Sequence, residues 1–354
     1  MSIYESRLWI SDLDEIIETL PELKKLVDAK VMVTGCTGLI CSAVVDVLNR
    51  WNETHIGKIR IYAAGRSENR IRNRFSPFSD EEWFSFIPYD ASSADNHLSI
   101  SCDYIIHGAS NAFPNKIVKE PVETMLSNFL GMKYLLDYAR EKGTTRVLYI
   151  STSEVYGRRQ NNGPCKIDEY GWIDILNPRN SYSIGKRAAE TLCASYYDEY
   201  GVDSAIIRPG HIYGPTATKA DNRVSSAWVY AAASGEDIIM KSNGTQIRSY
   251  CYCLDCVAAI VKVILKGKPV HPYNISNPKS IITIRQMAEI LAEVSNVSLI
   301  TCLPTEEEKK GFNPMSNSSL ESLDLLALGW EGQFDALRGL SHTVEILREV
   351  KIYY

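Results

Sequence analysis

The sequence predicts an α/β fold: a doubly wound parallel sheet with helices on both faces, joined to a smaller C-terminal α/β lobe. Three observations predict it. Short β-branched runs alternate with helical patterns from residue 30 to about residue 211, the pattern of strands linked by crossover helices. The first strand, "KVMVTG", runs into glycine and then directly into a helix. Beyond residue 212 the rhythm loosens into shorter elements without linker-like composition, which predicts a second lobe packed tightly on the first.

Taken in order, residues 12–27 read as an amphipathic helix with Leu13, Ile16, Ile17 and Leu20 on one face. "KVMVTG" is a strand, "LICSAVVDVLNRW" a helix, "KIRIYAAG" a second strand and "SCDYIIHGAS" another. "PVETMLSNFLGMKYLLDYAREKG" is a long helix stopped by Gly143, and "TRVLYIS" a strand. "SYSIGKRAAETLCASYYDEYG" is a helix stopped by Gly201, and "DSAIIRPG" a strand again. Later, "NGTQIRSYCY", "SNPKSIITIRQMAEILAEV" and "SLESLDLLALGW" suggest shorter strands and helices. The expected divisions are a helical extension at 1–29, a sheet domain at 30–211 and a smaller lobe, mainly, at 212–354. Some of the later elements are free to return to the sheet.

Composition narrows the class. The 354 residues are 45% hydrophobic and 23% charged, as in ordinary globular proteins. A formal net charge of −5 leaves no footprint for nucleic acid or an acidic membrane surface. No apolar run approaches a bilayer-spanning length, and the acidic, amphipathic start does not read as a signal peptide. Nine cysteines, an odd and scattered set, fit free thiols in a reducing cytoplasm. "CYCLDC" brings Cys251, Cys253 and Cys256 together, but without C-x-x-C spacing or a fourth ligand they read as buried packing thiols. No histidine shows metal-ligand spacing, so no metal is expected.

"VTGCTGLIC" follows a strand and opens a helix, the context in which a glycine turn binds a dinucleotide. Gly35 and Gly38 let backbone N–H groups approach a pyrophosphate at the helix N-terminus, so the sheet is expected to be Rossmann-type. Cys41 stands where a third glycine would ease helix–sheet packing. The second strand ends "YAAGRSENRIRNR", with Gly65 and Arg66 in place of an acidic residue for the ribose hydroxyls and with Arg70 nearby. An arginine there pairs with a 2′-phosphate, which tilts the expected cofactor, NAD or NADP, toward NADP; stacking on adenine and a solvated surface charge are the other readings of Arg66.

"YISTSEVYG" turns from a buried strand into hydroxyls and a carboxylate, Ser151, Thr152, Ser153 and Glu154. "NSYSIGKRAAE" puts Tyr182 and Lys186 four apart, on one helix face. An ammonium beside a phenol favours the phenolate, which makes Tyr182 a base usable near neutral pH.

Thr152, Tyr182 and Lys186 together resemble the short-chain dehydrogenase/reductase superfamily, in particular its extended branch of NAD-dependent nucleotide-sugar epimerases, dehydratases and decarboxylases. The resemblance extends over nearly the whole chain, through "TGCTGLI", "IIHGAS", "STSEVYG", "YSIGK", "RPGHIYGP", "NGTQIRSY" and "LALGWEGQFDALRGL". It implies tightly bound NAD(P) held by Gly35, Thr37, Gly38, Leu39, Ile40, Arg66, Asp90, Ala91, Gly108, Ala109, Ser110, Asn128, Ser151, Tyr182, Lys186 and Pro209. It also implies a catalytic set of Thr152, Glu154, Tyr182 and Lys186: Thr152 bonds the sugar 4-hydroxyl, Tyr182 takes its proton, and Lys186 holds the nicotinamide ribose. Glu154 is placed to act at C5 of the resulting 4-keto sugar. A homodimer through a four-helix bundle, built on helices near 120–142 and 182–200, follows from the same resemblance.

"NPRNSYSIGKRAAE" and "DNRVSS" are similar to UDP-glucuronate decarboxylases. Arg179 is then a partner for a substrate carboxylate, with a helix-entry surface charge as its other reading. Arg223 and Arg248 are candidates for the sugar-nucleotide diphosphate, since guanidinium forks match phosphate oxygens. His211 stands where such proteins carry a substrate-contacting Asn, and "YGPTA" lacks an arginine they often have. The expectation is a redox-neutral, decarboxylase-like nucleotide-sugar enzyme in the cytoplasm, with no nucleic-acid or membrane partner. The alternatives are a 4,6-dehydratase, then an epimerase and, in another class, a nucleotide-binding protein without turnover.

Overall fold

The structure is a computed structural model that describes residues 2–93, 95–302, 304–305 and 315–351. Ser6 caps the first helix, α1 (Arg7–Glu18), by accepting from the Trp9 backbone N–H. The helix expected over 12–27 thus starts earlier and ends at Glu18. Pro21 restricts the residue before it and cannot donate, so the chain leaves the helix and resumes as a 3₁₀ stretch over Pro21–Leu26. The anticipated apolar face, Leu13, Ile16, Ile17 and Leu20, is buried.

The next elements are β1 (Lys30–Thr34), α2 (Leu39–Thr54), β2 (Arg60–Gly65), α3 (Glu68–Arg74), β3 (Phe84–Pro88), β4 (Tyr104–His107), α4 (Pro114–Lys119), α5 (Pro121–Lys142) and β5 (Arg146–Ile150). They are followed by α6 (Ser181–Tyr200) and β6 (Ser204–Pro209). Gly143 and Gly201 end α5 and α6 in the left-handed conformation, the stops expected of them. The strands form one parallel sheet in the order β3, β2, β1, β4, β5, β6, with a seventh strand described below. The direction of strand addition reverses between β1 and β4, so a crevice opens there at the carboxyl ends.

Both faces of this sheet are buried, which is why its strands read as unbroken apolar runs. Val31 and Val33 of β1 point into one core and Met32 into the other. Along β5, Leu148 and Ile150 face the first core while Val147 and Tyr149 face the second.

The remaining elements are β7 (His211–Tyr213), α7 (Val224–Ser234), β8 (Ile238–Met240), β9 (Ile247–Tyr252), α8 (Cys253–Lys266), β10 (Pro272–Ile275), β11 (Ile281–Thr283), α9 (Ile284–Ser295), β12 (Leu299–Thr301), β13 (Asn317–Ser318), α10 (Leu323–Ala327) and α11 (Ala336–Val350). A small mixed sheet centres on β9, flanked by β7, β11 and β13, and β8 pairs with β12. β10 returns to the large sheet as its seventh strand, beside β6, and α8 packs on α2. Chain beyond residue 212 is therefore shared between sheet and lobe. Cys251, Cys253 and Cys256 are buried, and burial pushes each thiol up. Among the described residues no helix is long and apolar enough to cross a membrane.

Candidate active site

The carboxyl ends of β1, β2, β4, β5 and β6 converge on one cleft of about 450 Å³. Its floor is the turn after β1. Gly35 has φ +66°, and a Cβ there would lie 2.8–2.9 Å from the backbone of Gly108 and Ala109, so glycine is required twice over. Gly38 caps α2 with no side-chain acceptor, which leaves the first-turn N–H groups of that helix open to a ligand. Cys41 takes the space a larger residue 108 would need, since a Cβ on Gly108 would sit 2.4 Å from its Sγ. The missing third glycine of the turn is thus matched by a glycine on the neighbouring strand. Thr34 Oγ1 lies 2.7 Å from His107 Nδ1 and accepts from the Ala109 N–H at 3.3 Å, tying the two strand ends together. The cleft accordingly fits a dinucleotide, with an open backbone floor and a helix N-terminus for the pyrophosphate.

Gly35, Thr37, Gly38, Leu39, Ile40, Arg66, Asp90, Ala91, Gly108, Ala109, Ser110, Ser151 and Pro209 all line this cleft, with Thr152, Tyr182, Lys186 and Arg223. Ser151 also points its hydroxyl away, donating to Glu190 Oε1 at 2.5 Å. Glu190 in turn takes a two-pronged ion pair from the buried Arg208, at 3.0 and 2.6 Å. Asn128 is not part of the wall. It is fully buried behind it, donating to the Thr124 carbonyl at 2.7 Å and accepting from the Tyr149 hydroxyl at 3.4 Å. Its amide ties α5 to β5, and its Cβ stands at the close crossing of α5 and α6, 3.3 Å from where a Cβ on Gly185 would lie.

At the catalytic end, Thr152 Oγ1 accepts from the Glu154 N–H at 3.2 Å, and its hydroxyl stands near enough to the Tyr182 phenol to favour the phenolate. Lys186 Nζ donates to the Ile150 carbonyl at 2.6 Å and lies 5.7 Å from the Tyr182 ring centre. Burial pulls this ammonium down to about 7. The phenol does not show the acidity expected of it. Burial, and then the charge of Glu154, push Tyr182 up to about 12, against the weaker downward pull of Thr152, Arg223 and Arg179. Lys186 points to a strand carbonyl, and desolvation of the phenol outweighs the cations within reach.

Glu154 lies outside the cleft wall. Ser183 donates to its carboxylate at 3.1 Å, and Arg179 pairs with it at 3.6 Å. Arg223 reaches the cleft but is clasped by the buried Asp221, which also accepts from Ser226. Arg248 is buried outside the wall and donates to the carbonyls of Ile247 and Met315. His211 is also outside it; its Nδ1 has no hydrogen-bond partner, and burial with Arg248 and Arg223 nearby holds the ring down at about 3, hence neutral. The structure adds Cys36, Ile71, Tyr89, Ser127 and Asp221 to the wall and Ser183 behind it. Ser183 and Asp221 had a signal in the chain, each lying within two residues of a named candidate. Cys36, Tyr89 and Ser127 likewise adjoin Gly35, Asp90 and Asn128, and only Ile71 depends on the placement of α3 against the sheet.

A model described as the NAD dependent epimerase/dehydratase family matches residues 31–276. UDP-glucuronic acid decarboxylase 3 of Arabidopsis thaliana is 30% identical over 313 residues, 88% of this chain and 86% of that protein. Among solved structures, the dTDP-glucose 4,6-dehydratase DesIV of Streptomyces venezuelae, with NAD and TYD bound, superposes with TM-score 0.76 at 21% identity, covering 92% of this chain and 98% of that one. A UDP-glucuronic acid 4-epimerase of Bacillus cereus, in complex with UDP-glucuronic acid and NAD, does so with TM-score 0.73 at 19% identity, covering 91% and 99%.

Proposed function

The chain belongs to the NAD dependent epimerase/dehydratase family, and on that premise we propose that it is a redox-neutral enzyme of nucleotide-diphosphate sugars that decarboxylates a UDP-glucuronate-like substrate through a transient 4-keto sugar. The observation that carries the reading is the meeting of the Thr152 hydroxyl and the Tyr182 phenol in the cleft whose far end is the glycine turn.

When bound, the dinucleotide supplies a hydride acceptor that later returns what it took. The chain's own groups do the rest. Thr152 accepts from the Glu154 N–H and keeps its own proton for a sugar hydroxyl held between it and Tyr182. Tyr182 receives the 4-hydroxyl proton as the ketone forms and gives it back when the alcohol is restored. Lys186, buried on the same face, is the candidate for the nicotinamide ribose. Carbon dioxide then leaves as the C5–carboxylate bond pair passes into the 4-ketone to form an enolate, and C5 takes a proton from water before the hydride returns to C4.

The pairing of Arg179 with Glu154 supports decarboxylation: a guanidinium that holds one carboxylate near the Tyr182 phenol can hold that of a substrate. Arg179 is then poised to exchange Glu154 for a substrate carboxylate. Arg223 and Arg248 are proposed for the diphosphate and His211 for a neutral hydrogen bond to the substrate. Arg66, exposed at the cleft, keeps the lean toward NADP open to a direct comparison of NAD and NADP binding. A cytoplasmic homodimer is part of the same proposal.

Incubation with UDP-glucuronate tests the reading: carbon dioxide and a UDP-pentose are expected. Absence of both removes decarboxylation, and appearance of a 4-keto-6-deoxy sugar from a neutral hexose nucleotide would establish the dehydratase instead.

A further inference from the structure

Residues 2–29 precede the first strand of the sheet, yet they reach the two helices, α2 and α3, that flank the nucleotide end of the cleft. The contact is a trio of half-buried Tyr4 and Arg74 with the buried Asp46. Tyr4 donates its hydroxyl to Asp46 Oδ1 at 2.5 Å, Arg74 donates to the Tyr4 oxygen at 2.5 Å, and Arg74 pairs with Asp46 Oδ2 at 2.6 Å. The Tyr4 ring also packs edge-on against Phe78, with centroids 5.4 Å apart. Asp46 belongs to α2, whose N-terminus floors the cleft, and Arg74 is the last residue of α3, whose first turn places Arg70 and Ile71 in the cleft wall.

Beyond the trio, α3 is anchored at its C-terminal end by Phe75, buried against Phe78 and Phe84. Its other ion pairs, Arg72 with Glu68 and Asp80, are exposed and so weak. Inside, Ile71 abuts the end of β2, where a Cβ on Gly65 would meet it at 3.0 Å. Movement of α3 would therefore displace both Arg70 and the Gly65–Arg66 strand end. On its far side the N-terminal segment is held in place: Ser6 donates to Glu349 of α11, and Arg50 of α2 clasps Asp14.

We infer that Tyr4 is a positioning residue for the adenosine end of the cleft: through Asp46 and Arg74 the N-terminal extension sets the pose of α3, and with it the affinity for the dinucleotide. The inference rests on the dinucleotide reading of the cleft. It assigns the extension to cofactor retention, with no contact between Tyr4 and the cofactor itself.

The test is calorimetric titration of NAD, NADP and ADP-ribose into the full chain freed of co-purified dinucleotide, for wild type, Tyr4→Phe and Leu291→Ala. Leu291 is a buried residue of α9, far along the chain in the lobe, and controls for general loss of stability. Tyr4→Phe keeps the ring and removes the hydroxyl on which the trio closes, so all three ligands are expected to bind about five-fold or more weakly. ADP-ribose should lose as much as NAD, because the effect belongs to the adenosine end; Leu291→Ala should leave affinity unchanged while lowering the melting temperature. Should Tyr4→Phe fail to fold, Arg74→Lys takes its place, since an ammonium keeps the charge but lacks the fork that serves Tyr4 and Asp46 together. Wild-type affinity in the tested variant, or equal weakening in Leu291→Ala, overturns the inference. Absence of binding by the wild type overturns the dinucleotide reading instead.

Discussion

Tyr182 and Lys186 share a helix face, as their spacing required, but the phenol is raised to about 12 because burial and Glu154 outweigh nearby positive charge. At neutral pH it is protonated until another cation enters the cleft. An oxidised nicotinamide ring carries one. We therefore expect ultraviolet titration, with Tyr182→Phe as the blank, to show this phenol ionising near the top of the accessible pH range in free protein and at lower pH with oxidised dinucleotide bound. The sign follows from a positive charge favouring the phenolate. Tyr182→Phe is expected to cut turnover by about 10²–10⁴-fold while dinucleotide binding is retained, since the ring stays and the proton carrier goes. Glu154→Gln separates two roles. A C5 base would cost at least about 10²-fold in turnover. A carboxylate that orients Ser183 and Arg179 should cost far less, and its removal should lower the Tyr182 pKa; steady-state rates and the same titration read both.

At the scale of elements, two glycines with nearly equal φ have different tasks. Gly143 has φ +68° with open space around it, so Gly143→Ala should cost about 1 kcal/mol for the left-handed conformation alone. Gly35 has φ +66° but is pressed against Gly108 and Ala109, so Gly35→Ala adds a backbone collision and should cost roughly 2–5 kcal/mol, with loss of dinucleotide binding. Thermal melts and the binding titration distinguish the pair. The long helices were legible because their stops are local: Gly143 and Gly201 end α5 and α6 where a left-handed residue must stand. Less legible were α3 and β3, short pieces whose apolar content is little more than Ile71, Phe75, Phe84 and Ile87. The first helix was misplaced by reading its periodicity through Pro21.

At the scale of the whole molecule, the return of β10 to the sheet decides the architecture, because it carries the chain out of the lobe and back beside β6. Four residues of "PYNI" gave no local indication of which sheet they would join. The outer face of α5 carries Val122, Met125 and Leu126, all exposed in the single chain. Such a face on a helix already packed against α6 suits a second copy, as a four-helix bundle would require. Leu126→Glu is expected to shift sedimentation from dimer to monomer; a wild-type chain that sediments as a monomer would refute this interface.

What the sequence determined by itself was local in origin. Hydrophobic period, glycine stops, the strand–glycine–helix turn and the four-residue spacing of Tyr182 and Lys186 depend on residues a few positions apart, so they announced the alternating fold, the turn at Gly35 and that pair; Thr152 joined it only through family resemblance. The tertiary structure decided which side chains face the cleft. Asn128 turned inward to the α5–α6 crossing, Glu154 turned to Ser183 and Arg179, and Arg223 was met by Asp221. It also decided the protonation of Tyr182, since desolvation and the distance between charges arise from strand order and packing rather than from spacing along the chain.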